Sequence, residues 1–210
     1  MRIGIIGTGN IGATAARLLA GAGHEVALGT RRDPADLAEL VAKLGPGASA
    51  GPQAEAAAAP DAVLVAVPLH AIDDLPADAF ATAVVIDANN YYPGRDGRIA
   101  ELDDGTTTSS ELLAARLPGI PVVKAFNTMQ SGTLAGQGMP DSPMEDRLAI
   151  PLAGDDASAK ATVAGLIEAI GFAPVDSGGL ADGGRRQQPG APVYGVEVGP
   201  QEAQKLIAQA

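Results

Sequence analysis

The sequence predicts an α/β fold with a doubly wound, mostly parallel sheet and helices on both faces. Three observations predict it. Short apolar runs alternate with segments of helical periodicity along residues 2–176, which is the pattern of consecutive β-α-β units. Two runs, AVLVAV at 62–67 and AVVIDA at 83–88, are almost wholly apolar, as is typical of strands buried on both faces. A glycine-rich turn at residues 7–12 joins the first strand to the first helix.

Each element has its own local signal. Apolar residues at helical spacing from Ile11 to Ala22 predict the first helix, and Gly23 ends it. Asp33 and Pro34 are an N-cap and a first-turn proline that open a helix to residue 44. TSSE at 108–111 is a capping box. Strands are predicted at 2–6, 25–29, 47–50, 62–67, 83–88, 121–126, 148–154 and 173–176, and further helices at 53–59, 108–117, 156–170 and 201–209.

The pattern predicts one domain over residues 1–210, with a core at 1–178 and a short carboxy-terminal extension at 179–210. The extension is too short to form a domain alone. Two stretches rich in glycine, proline and polar residues, 89–107 and 178–192, interrupt the regular pattern.

Composition excludes several classes of function. The chain has no cysteine, so disulfides, cysteine-ligated metals and thiol catalysis are excluded. Only two histidines are present, and we expect no metal site. The net charge of −11 disfavours nucleic acid and anionic membranes as partners. No apolar run of the length that spans a bilayer occurs, and the first strand directly follows Met1. We therefore expect a cytoplasmic protein that binds small molecules.

The turn at residues 7–12 reads Gly7-Thr8-Gly9-Asn10-Ile11-Gly12. This G-x-G-x-x-G pattern lies between a strand and a helix, which is the context of a Rossmann-type dinucleotide-binding loop. The first glycine permits a tight turn, the second lets the backbone approach a pyrophosphate, and the third lets the helix pack close to the strand. The alternative is a glycine-rich turn in an α/β protein that binds no nucleotide.

Thr30, Arg31 and Arg32 follow the second strand, where an NAD enzyme places an acidic residue for the ribose hydroxyls. A hydroxyl and two guanidinium groups instead suit the 2′-phosphate of NADP(H), because arginine binds phosphate with two parallel hydrogen bonds. The alternative is a solvated arginine pair on a loop. We interpret Asp33 as the cap of the next helix.

Polar residues follow three further strands, at the edge where ligands of open α/β sheets bind. Pro68 and His70 follow the fourth strand, Asn89, Asn90 and Tyr91 the fifth, and Phe126, Asn127, Thr128 and Met129 the sixth. Amides and hydroxyls could hold a carboxamide or a flat heterocycle. Alternatives remain for each group, because His70 could cap its helix and Asn89 and Asn90 could be turn residues.

Two more charged sites leave alternatives open. Lys124 in the sixth strand is either a catalytic base or a surface or ion-paired lysine. Arg185 and Arg186 are either an anion site or a solvated pair. No metal-binding spacing and no catalytic triad accompany them, which fits chemistry that a cofactor carries.

Four segments together resemble the NADPH-dependent reductases of the 8-hydroxy-5-deazaflavin coenzyme F-420 (F420). They are residues 1–32, AVLVAVPLHAID, VVIDANN and VVKAFNTM. The same pattern is similar to the oxidoreductase domain of the STEAP metalloreductases, and Phe126-Asn127 is closer to that domain. The resemblance covers the chain to about Gly179.

The resemblance implies a Rossmann domain that binds NADP(H) and exchanges a hydride with a deazaflavin or flavin ring. It implies pyrophosphate contacts from Thr8, Gly9, Asn10 and Ile11, and 2′-phosphate contacts from Thr30 and Arg31. The nicotinamide would lie beside Pro68, His70 and the segment Ala125, Phe126, Asn127, Thr128 and Met129. The strand-end residues Val67, Ala88 and Asn89 complete the predicted cofactor site, with His70 and Asn127 as the catalytic candidates.

The leading hypothesis is an NADP(H)-dependent oxidoreductase acting on a planar redox coenzyme, F420 first. Related folds with small substrates need a large helical domain after the Rossmann half, and few residues remain here. The alternatives are a reductase of flavin or of a small carbonyl or imine, with Tyr91 or His70 as proton donor, and a non-catalytic NADP(H) sensor. The family analogy also predicts a homodimer.

Overall fold

The computed structural model describes residues 1–210 and contains one eight-stranded sheet with helices on both faces. The strands are β1 (Arg2–Ile6), β2 (Glu25–Thr30), β3 (Ala48–Pro52), β4 (Ala62–Val65), β5 (Val85–Asp87), β6 (Val122–Ala125), β7 (Ala149–Gly154) and β8 (Ala173–Gly178). The helices are α1 (Asn10–Gly21), α2 (Ala38–Leu44), α3 (Gln53–Ala57), α4 (Pro93–Asp96), α5 (Ala100–Asp103), α6 (Ser109–Arg116), α7 (Ser131–Gly136), α8 (Ala157–Ala169), α9 (Leu180–Arg185) and α10 (Pro200–Ile207). None is long and apolar enough to cross a lipid bilayer.

The strand order is β3-β2-β1-β4-β5-β6-β7-β8. The first six strands pair in parallel, β7 is antiparallel to β6, and β8 runs parallel to β7. The predicted α/β class with a mostly parallel, doubly wound sheet is confirmed, and all eight predicted strands are present. The chain winds in opposite directions from β1 toward β3 and from β4 toward β8, so a crevice opens at the carboxyl ends of β1 and β4.

Apolar side chains cover both faces of the sheet. One core lies between the sheet and α1, α2, α7 and α8, and includes Ile5, Leu19 and Ile86. The opposite core lies under α3, α6 and α9 and includes Val65 and Leu113. The central strand β4 is buried along its whole length, which explains its continuous apolar sequence.

The carboxy-terminal extension packs at the edge of the sheet. It begins where β8 ends, and Val193, Ala203 and Ile207 bury against Ala149 and Val175 of β7 and β8. Helix α10 therefore covers the far edge strands and fixes the tail that leads to it.

The stretches 89–107 and 178–192 contain three short helices, α4, α5 and α9, which the sequence analysis did not predict. The helix expected from Pro34 begins as a 3-10 turn at Pro34–Leu37 before α2. Asp33 accepts a hydrogen bond from the Ala35 N–H at 2.9 Å, so its predicted capping role is confirmed. Pro93 occupies the first position of α4, where proline favours the start of a helix. A description of this stretch by its composition did not reveal that signal.

Candidate functional site

Two cavities lie along the carboxyl ends of the parallel strands. The larger has a volume of about 590 Å³ and the smaller about 350 Å³. Val67 and Pro68, directly after β4, line both of them. The two cavities are therefore one continuous cleft at the crevice that the topology creates.

The glycine loop lies where the two cavities meet. Gly7 adopts a positive φ of +96°, and a Cβ on Gly12 would lie 1.8 Å from the Gly7 carbonyl oxygen. The predicted tight turn and close helix packing are thus confirmed. A Cβ on Gly9 would meet no atom within 4 Å, so the space beside this residue is open to a ligand.

Helix α1 presents its amino terminus to the cleft. It begins at Asn10 after the N-cap Gly9, and no side chain caps it. Its first N–H groups therefore have no side-chain partner, and the helix dipole favours an anion at this end. Gly9, Asn10 and Ile11 line the larger cavity, whereas Gly7 and Thr8 line the smaller one. An anion on this loop would bridge the two.

The smaller cavity contains the hydroxyl and arginines predicted for a phosphate. Thr30, Arg31 and Arg32 all line it. The Thr30 Oγ1 accepts a hydrogen bond from the Arg32 N–H at 3.0 Å, which fixes the loop after β2. Arg31 forms an ion pair with Asp74, and both side chains are more than half exposed, so the pair contributes little to stability. The Arg32 guanidinium has no hydrogen-bond partner within the chain and faces solvent.

The larger cavity gathers the amides predicted at the ends of β5 and β6. Asn89 and Asn127 line it with Thr128 and Met129. The Asn89 Oδ1 accepts from the Val67 N–H at 2.8 Å, and the Asn127 Nδ2 donates to the Gln187 carbonyl at 2.7 Å. The cavity is thus lined by side chains whose orientation is fixed by the backbone.

Two amide atoms in this group have no partner. Asn89 Nδ2 and Asn127 Oδ1 are buried and make no hydrogen bond. A buried polar atom without a partner costs about 1–3 kcal/mol. Asn89 Nδ2 is a donor and Asn127 Oδ1 is an acceptor, and both belong to residues that line the larger cavity. This feature, with the uncapped helix and the arginines, fits an NADP(H) molecule along the cleft.

Four of the predicted cofactor residues, His70, Ala125, Phe126 and Gly12, do not line either cavity. His70 lies on the 3-10 turn Leu69–Asp74, about half exposed, and its Nδ1 lies 3.0 Å from Asp96 Oδ1. Ala125 and Phe126 are buried in the core. Gly12 packs beneath the loop, and the remaining predicted residues line one or both cavities.

The alternative proton donor Tyr91 also lies outside both cavities. Its hydroxyl donates to Asp103 and accepts from the Ile99 N–H, both at 2.9 Å. Arg185 and Arg186 line neither cavity of the cleft. Tyr91 joins two positions of the loop instead, and Arg186 donates to the Ser177 carbonyl at 3.3 Å.

Phe126 explains how β6 delivers its amide to the cleft. It is the only residue other than glycine with a positive φ, +66°. The left-handed conformation costs an L-residue with a bulky side chain about 1–3 kcal/mol and is concentrated at functional sites. Here the ring is buried in the core while the chain turns so that Asn127 and Thr128 reach the cavity.

Lys124 is neither exposed nor part of the cavity surface. It is fully buried, and its Nζ lies 3.4 Å from Asp87 Oδ2 on the neighbouring strand. The ammonium also donates to the Asn89 carbonyl at 3.0 Å and to the Ser109 hydroxyl at 3.3 Å. Of the alternatives above, the ion-paired lysine is the one found. The pair fixes the backbone at Asn89 from beneath.

Sequence reasoning missed several cavity residues. Tyr92, Arg95 and Tyr194 line the larger cavity, and Asn90, named at the rim, joins them through hydrogen bonds. Ala66, Gln130, Ser131 and Gly195 complete this missed set. Tyr194 comes from the carboxy-terminal extension, whose Gly195 N–H donates to the Thr128 carbonyl at 2.9 Å. The only local signal for Tyr194 is that an aromatic residue stands in a tail rich in glycine and proline.

Asp96 organises the loop that carries Tyr92 and Arg95. Burial raises the pKa of this carboxyl, but hydrogen bonds from Arg95, the Tyr92 N–H and His70 together lower the pKa to about 2. The Arg95 guanidinium also lies 4.9 Å from the centre of the Tyr92 ring. Asp96 is therefore an ionised anchor at neutral pH, and His70 is one of its partners.

The family of the chain follows from comparison with known proteins. Residues 2–91 match the family described as "NADP oxidoreductase coenzyme F420-dependent". The amino-terminal part of the chain belongs to this family, and the matched residues contain the glycine loop, the arginine pocket and the strand-end Asn89.

A metalloreductase is among the relatives of this chain. Metalloreductase STEAP3 from Rattus norvegicus is 31% identical over 182 residues, which are 86% of this chain and 34% of the relative. The chain thus spans about a third of the length of this curated relative.

Two solved structures are similar over most of the chain. A hypothetical protein from Sinorhizobium meliloti is 32% identical, with 95% of each chain covered and a TM-score of 0.79. A protein from Arthrobacter sp. FB24, provisionally described as an F420-dependent NADP-reductase, is 28% identical, with 86% of each chain covered and a TM-score of 0.70. These similarities include the carboxyl-terminal half that the family model does not match.

Proposed function

We propose that this oxidoreductase transfers a hydride between NADPH and a planar redox coenzyme, the deazaflavin F420, bound in the larger cavity. The observation that supports this most is the continuity of the cleft. One groove runs from the arginine pocket across the uncapped start of α1 to the amides at the ends of β5 and β6. An extended dinucleotide has its 2′-phosphate, pyrophosphate and nicotinamide in the same order.

The arginine pocket would select the phosphorylated cofactor. Thr30, Arg31 and Arg32 surround the smaller cavity, and hydrogen bonds to charged groups contribute about 1.5–3 kcal/mol each. Arg32 is free to turn to a phosphate. Arg31 would leave or share its ion pair with Asp74, which is exposed and therefore weak. The pocket has no acid placed to bind two ribose hydroxyls at the end of β2.

The strand-end amides would orient the nicotinamide. Asn89 and Asn127 each keep one unpaired amide atom, and a carboxamide supplies the matching acceptor and donor. When bound, NADPH supplies the hydride itself, and this chain's residues orient the ring and exclude water from it. Met129 and Ile11 give that cavity its apolar contacts.

Three observations support a deazaflavin as the acceptor. The family description names F420, and the Arthrobacter relative carries the same provisional description. The larger cavity, about 590 Å³, is open at one side and lies in the sheet's own crevice. A flat ring stacked on the nicotinamide would need no separate substrate domain.

A flavin is the second candidate. It is favoured by the similarity to a metalloreductase. Metal ions take up one electron at a time, whereas NADPH gives up two as a hydride, so a flavin is a suitable carrier between them.

The test is NADPH oxidation by the purified protein with F420, FMN and FAD as separate acceptors, followed at 340 nm. NADH in place of NADPH is the control. We expect turnover with F420 and NADPH, and turnover at least about tenfold slower with NADH. Tight NADPH binding with no turnover on any acceptor would contradict the proposal and favour a sensor or a small-molecule substrate.

A further inference from the structure

The larger cavity contains few groups that can give up a proton. Among its lining residues, only Tyr92, Arg95 and Tyr194 carry titratable protons. An arginine keeps its proton at any pH that a folded protein tolerates. The sequence-predicted donors, His70 and Tyr91, lie outside the cavity with their own partners. The two tyrosines are therefore the titratable side chains of this cavity that can give up a proton.

The two hydroxyls are joined to each other. The Tyr92 and Tyr194 oxygens form a short hydrogen bond, and the Asn90 Nδ2 donates to the Tyr194 oxygen at 3.3 Å. An amide nitrogen only donates, so one lone pair of the Tyr194 oxygen is occupied. When Tyr92 donates as well, both lone pairs are filled. The Tyr194 proton is then left to point into the cavity.

Tyr92 connects the pair to solvent. Tyr92 is one of the few large hydrophobic residues that are exposed, with 38% of its surface accessible to solvent. The Arg95 guanidinium stacked on its ring stabilises negative charge that develops on the phenol. Tyr194 is more enclosed, and burial raises the pKa of its hydroxyl. Tyr194 is thus a neutral donor at the end of a path from water.

The tail holds Tyr194 firmly in place. Val193 is buried against β7 and β8, the Gly195 N–H donates to Thr128, and Glu197 accepts from the Thr133 hydroxyl at 2.5 Å. Residues on both sides of the tyrosine are therefore anchored to the wall of the cleft. The side chain is held at a fixed position opposite Asn127.

We propose that Tyr194 and Tyr92 form a proton relay between solvent and the hydride acceptor. The inference rests on the proposed function. The nicotinamide C4–H bond breaks, and its electron pair forms a C–H bond on the acceptor ring while NADPH is oxidised to NADP⁺. The reduced ring takes its balancing proton from the Tyr194 hydroxyl. Tyr194 regains a proton from Tyr92, and Tyr92 regains one from water, so the sum is NADPH + acceptor + H⁺ → NADP⁺ + dihydro-acceptor.

The test compares Tyr194→Phe and Tyr92→Phe with Tyr91→Phe, the matched control whose hydroxyl lies outside the cavity. NADPH oxidation is measured with F420, and with FMN if only FMN turns over. We expect Tyr194→Phe to lower kcat about a hundredfold, within the range for general acid–base catalysis, and Tyr92→Phe to lower it less. The NADPH dissociation constant stays unchanged in all three variants.

The pH profile separates a relay from a structural role. The charged groups beside the pair are Arg95 and Asp96, and the pKa of the Asp96 carboxyl, lowered to about 2, lies far below the neutral range. Wild-type kcat is expected to stay level in the neutral range, because Tyr194 keeps its proton. In Tyr194→Phe the proton must come directly from the solvent, so kcat falls as pH rises.

A readout that needs no catalysis completes the test. Ultraviolet titration of the free protein follows the three tyrosines, and Tyr194 is expected to ionise last.

Two outcomes are distinguishable. The relay alone would be overturned if Tyr194→Phe had the same rate and pH profile as wild type. It would also be overturned if Tyr194→Phe and Tyr91→Phe lost equal amounts of activity. Wild-type protein that binds NADPH but reduces no acceptor would overturn the proposed function and the relay with it.

Discussion

The two ends of the cleft are built in different ways. The nucleotide end uses residues close together in the chain, from Gly7 to Arg32, placed by β1, α1 and β2. The acceptor end brings together Asn90, Asn127 and Tyr194, and the contact between Asn90 and Tyr194 joins positions 104 residues apart. The geometry of the nucleotide end is set by the local turn at residues 7–12. The geometry of the acceptor end is set by the buried Lys124–Asp87 ion pair, the left-handed Phe126 and the tail that carries Tyr194.

This difference explains which end of the cleft the family model matches. The family model matches residues 2–91, which include the whole nucleotide end but stop before β6 and the tail. Local backbone requirements produce a recognisable sequence pattern, whereas long-range packing does not.

The largest expected effect comes from breaking the ion pair beneath the acceptor end. Lys124→Met leaves the Asp87 carboxylate buried without its charge partner. The free energy of unfolding, measured with urea, should fall by about 3–5 kcal/mol.

Lys43→Met is the matched control, because Lys43 pairs with Glu39 on the exposed face of α2. It should cost about 0.5 kcal/mol or less. The double variant Asp87→Asn/Lys124→Met should recover part of the loss. Equal stability of the Lys124→Met and Lys43→Met proteins would show that the acceptor end does not depend on the buried pair.

Two glycines sharpen the comparison within the nucleotide end. A Cβ on Gly12 would lie 1.8 Å from a carbonyl oxygen, whereas one on Gly9 would meet nothing. Gly12→Ala should lower the free energy of unfolding by about 2 kcal/mol or more. Gly9→Ala should change it by about 1 kcal/mol at most, yet weaken NADPH binding about tenfold or more. Calorimetric titration and thermal unfolding check both, and a Gly9→Ala protein with normal affinity would exclude a close pyrophosphate.

Acid should loosen the acceptor end through Asp96. The pKa of this carboxyl is lowered to about 2 in the folded protein, below its ordinary value. Its stabilising contribution, about 2 kcal/mol, is present above about pH 4 and is lost as pH falls toward about 2. Urea unfolding of wild type and Asp96→Asn at several pH values measures this. The two proteins should differ most near neutral pH and converge in acid, and a constant difference would contradict the assignment.

Cofactor choice should depend on the arginine pocket alone. Arg31→Ala removes a guanidinium from the smaller cavity and leaves the larger one intact. NADPH affinity should fall by about tenfold or more, with NADH affinity nearly unchanged. Fluorescence titration with both cofactors gives the answer, and equal losses would place Arg31 elsewhere on the nucleotide.

The smallest expected effect is at His70. The sequence suggested a catalytic role, but the side chain is half exposed and outside the cleft, beside Asp96. His70→Ala should keep kcat within about twofold of wild type, as expected for a residue that does not touch the reacting groups. A large loss of kcat would show that His70 contacts the reacting groups. The Leu69–Asp74 turn would then have to move when ligands bind.

Sequence alone predicted the sheet and the tight glycine turn well, and it named residues that line the smaller cavity, because apolar runs, caps and glycines act locally. It named Asn89, Asn127, Thr128 and Met129 at the acceptor end, since strand ends in a parallel sheet meet at one edge. It could not place Tyr194, which is distant in the chain and reaches the cleft only through tail packing. It also could not predict the left-handed Phe126, since nothing local requires a phenylalanine in that conformation.

The central claim is that a hydride passes directly from the nicotinamide to a planar acceptor in the larger cavity. The most direct measurement uses NADPH labelled with deuterium at C4 in a reaction with F420, followed by mass spectrometry of the reduced coenzyme. NADPH has two hydrogens at C4, and each is labelled in a separate sample. The account predicts that deuterium from one of the two samples appears on a ring carbon of the reduced coenzyme. Reduced coenzyme that contains no deuterium in either sample, or no reduction at all, would contradict the account.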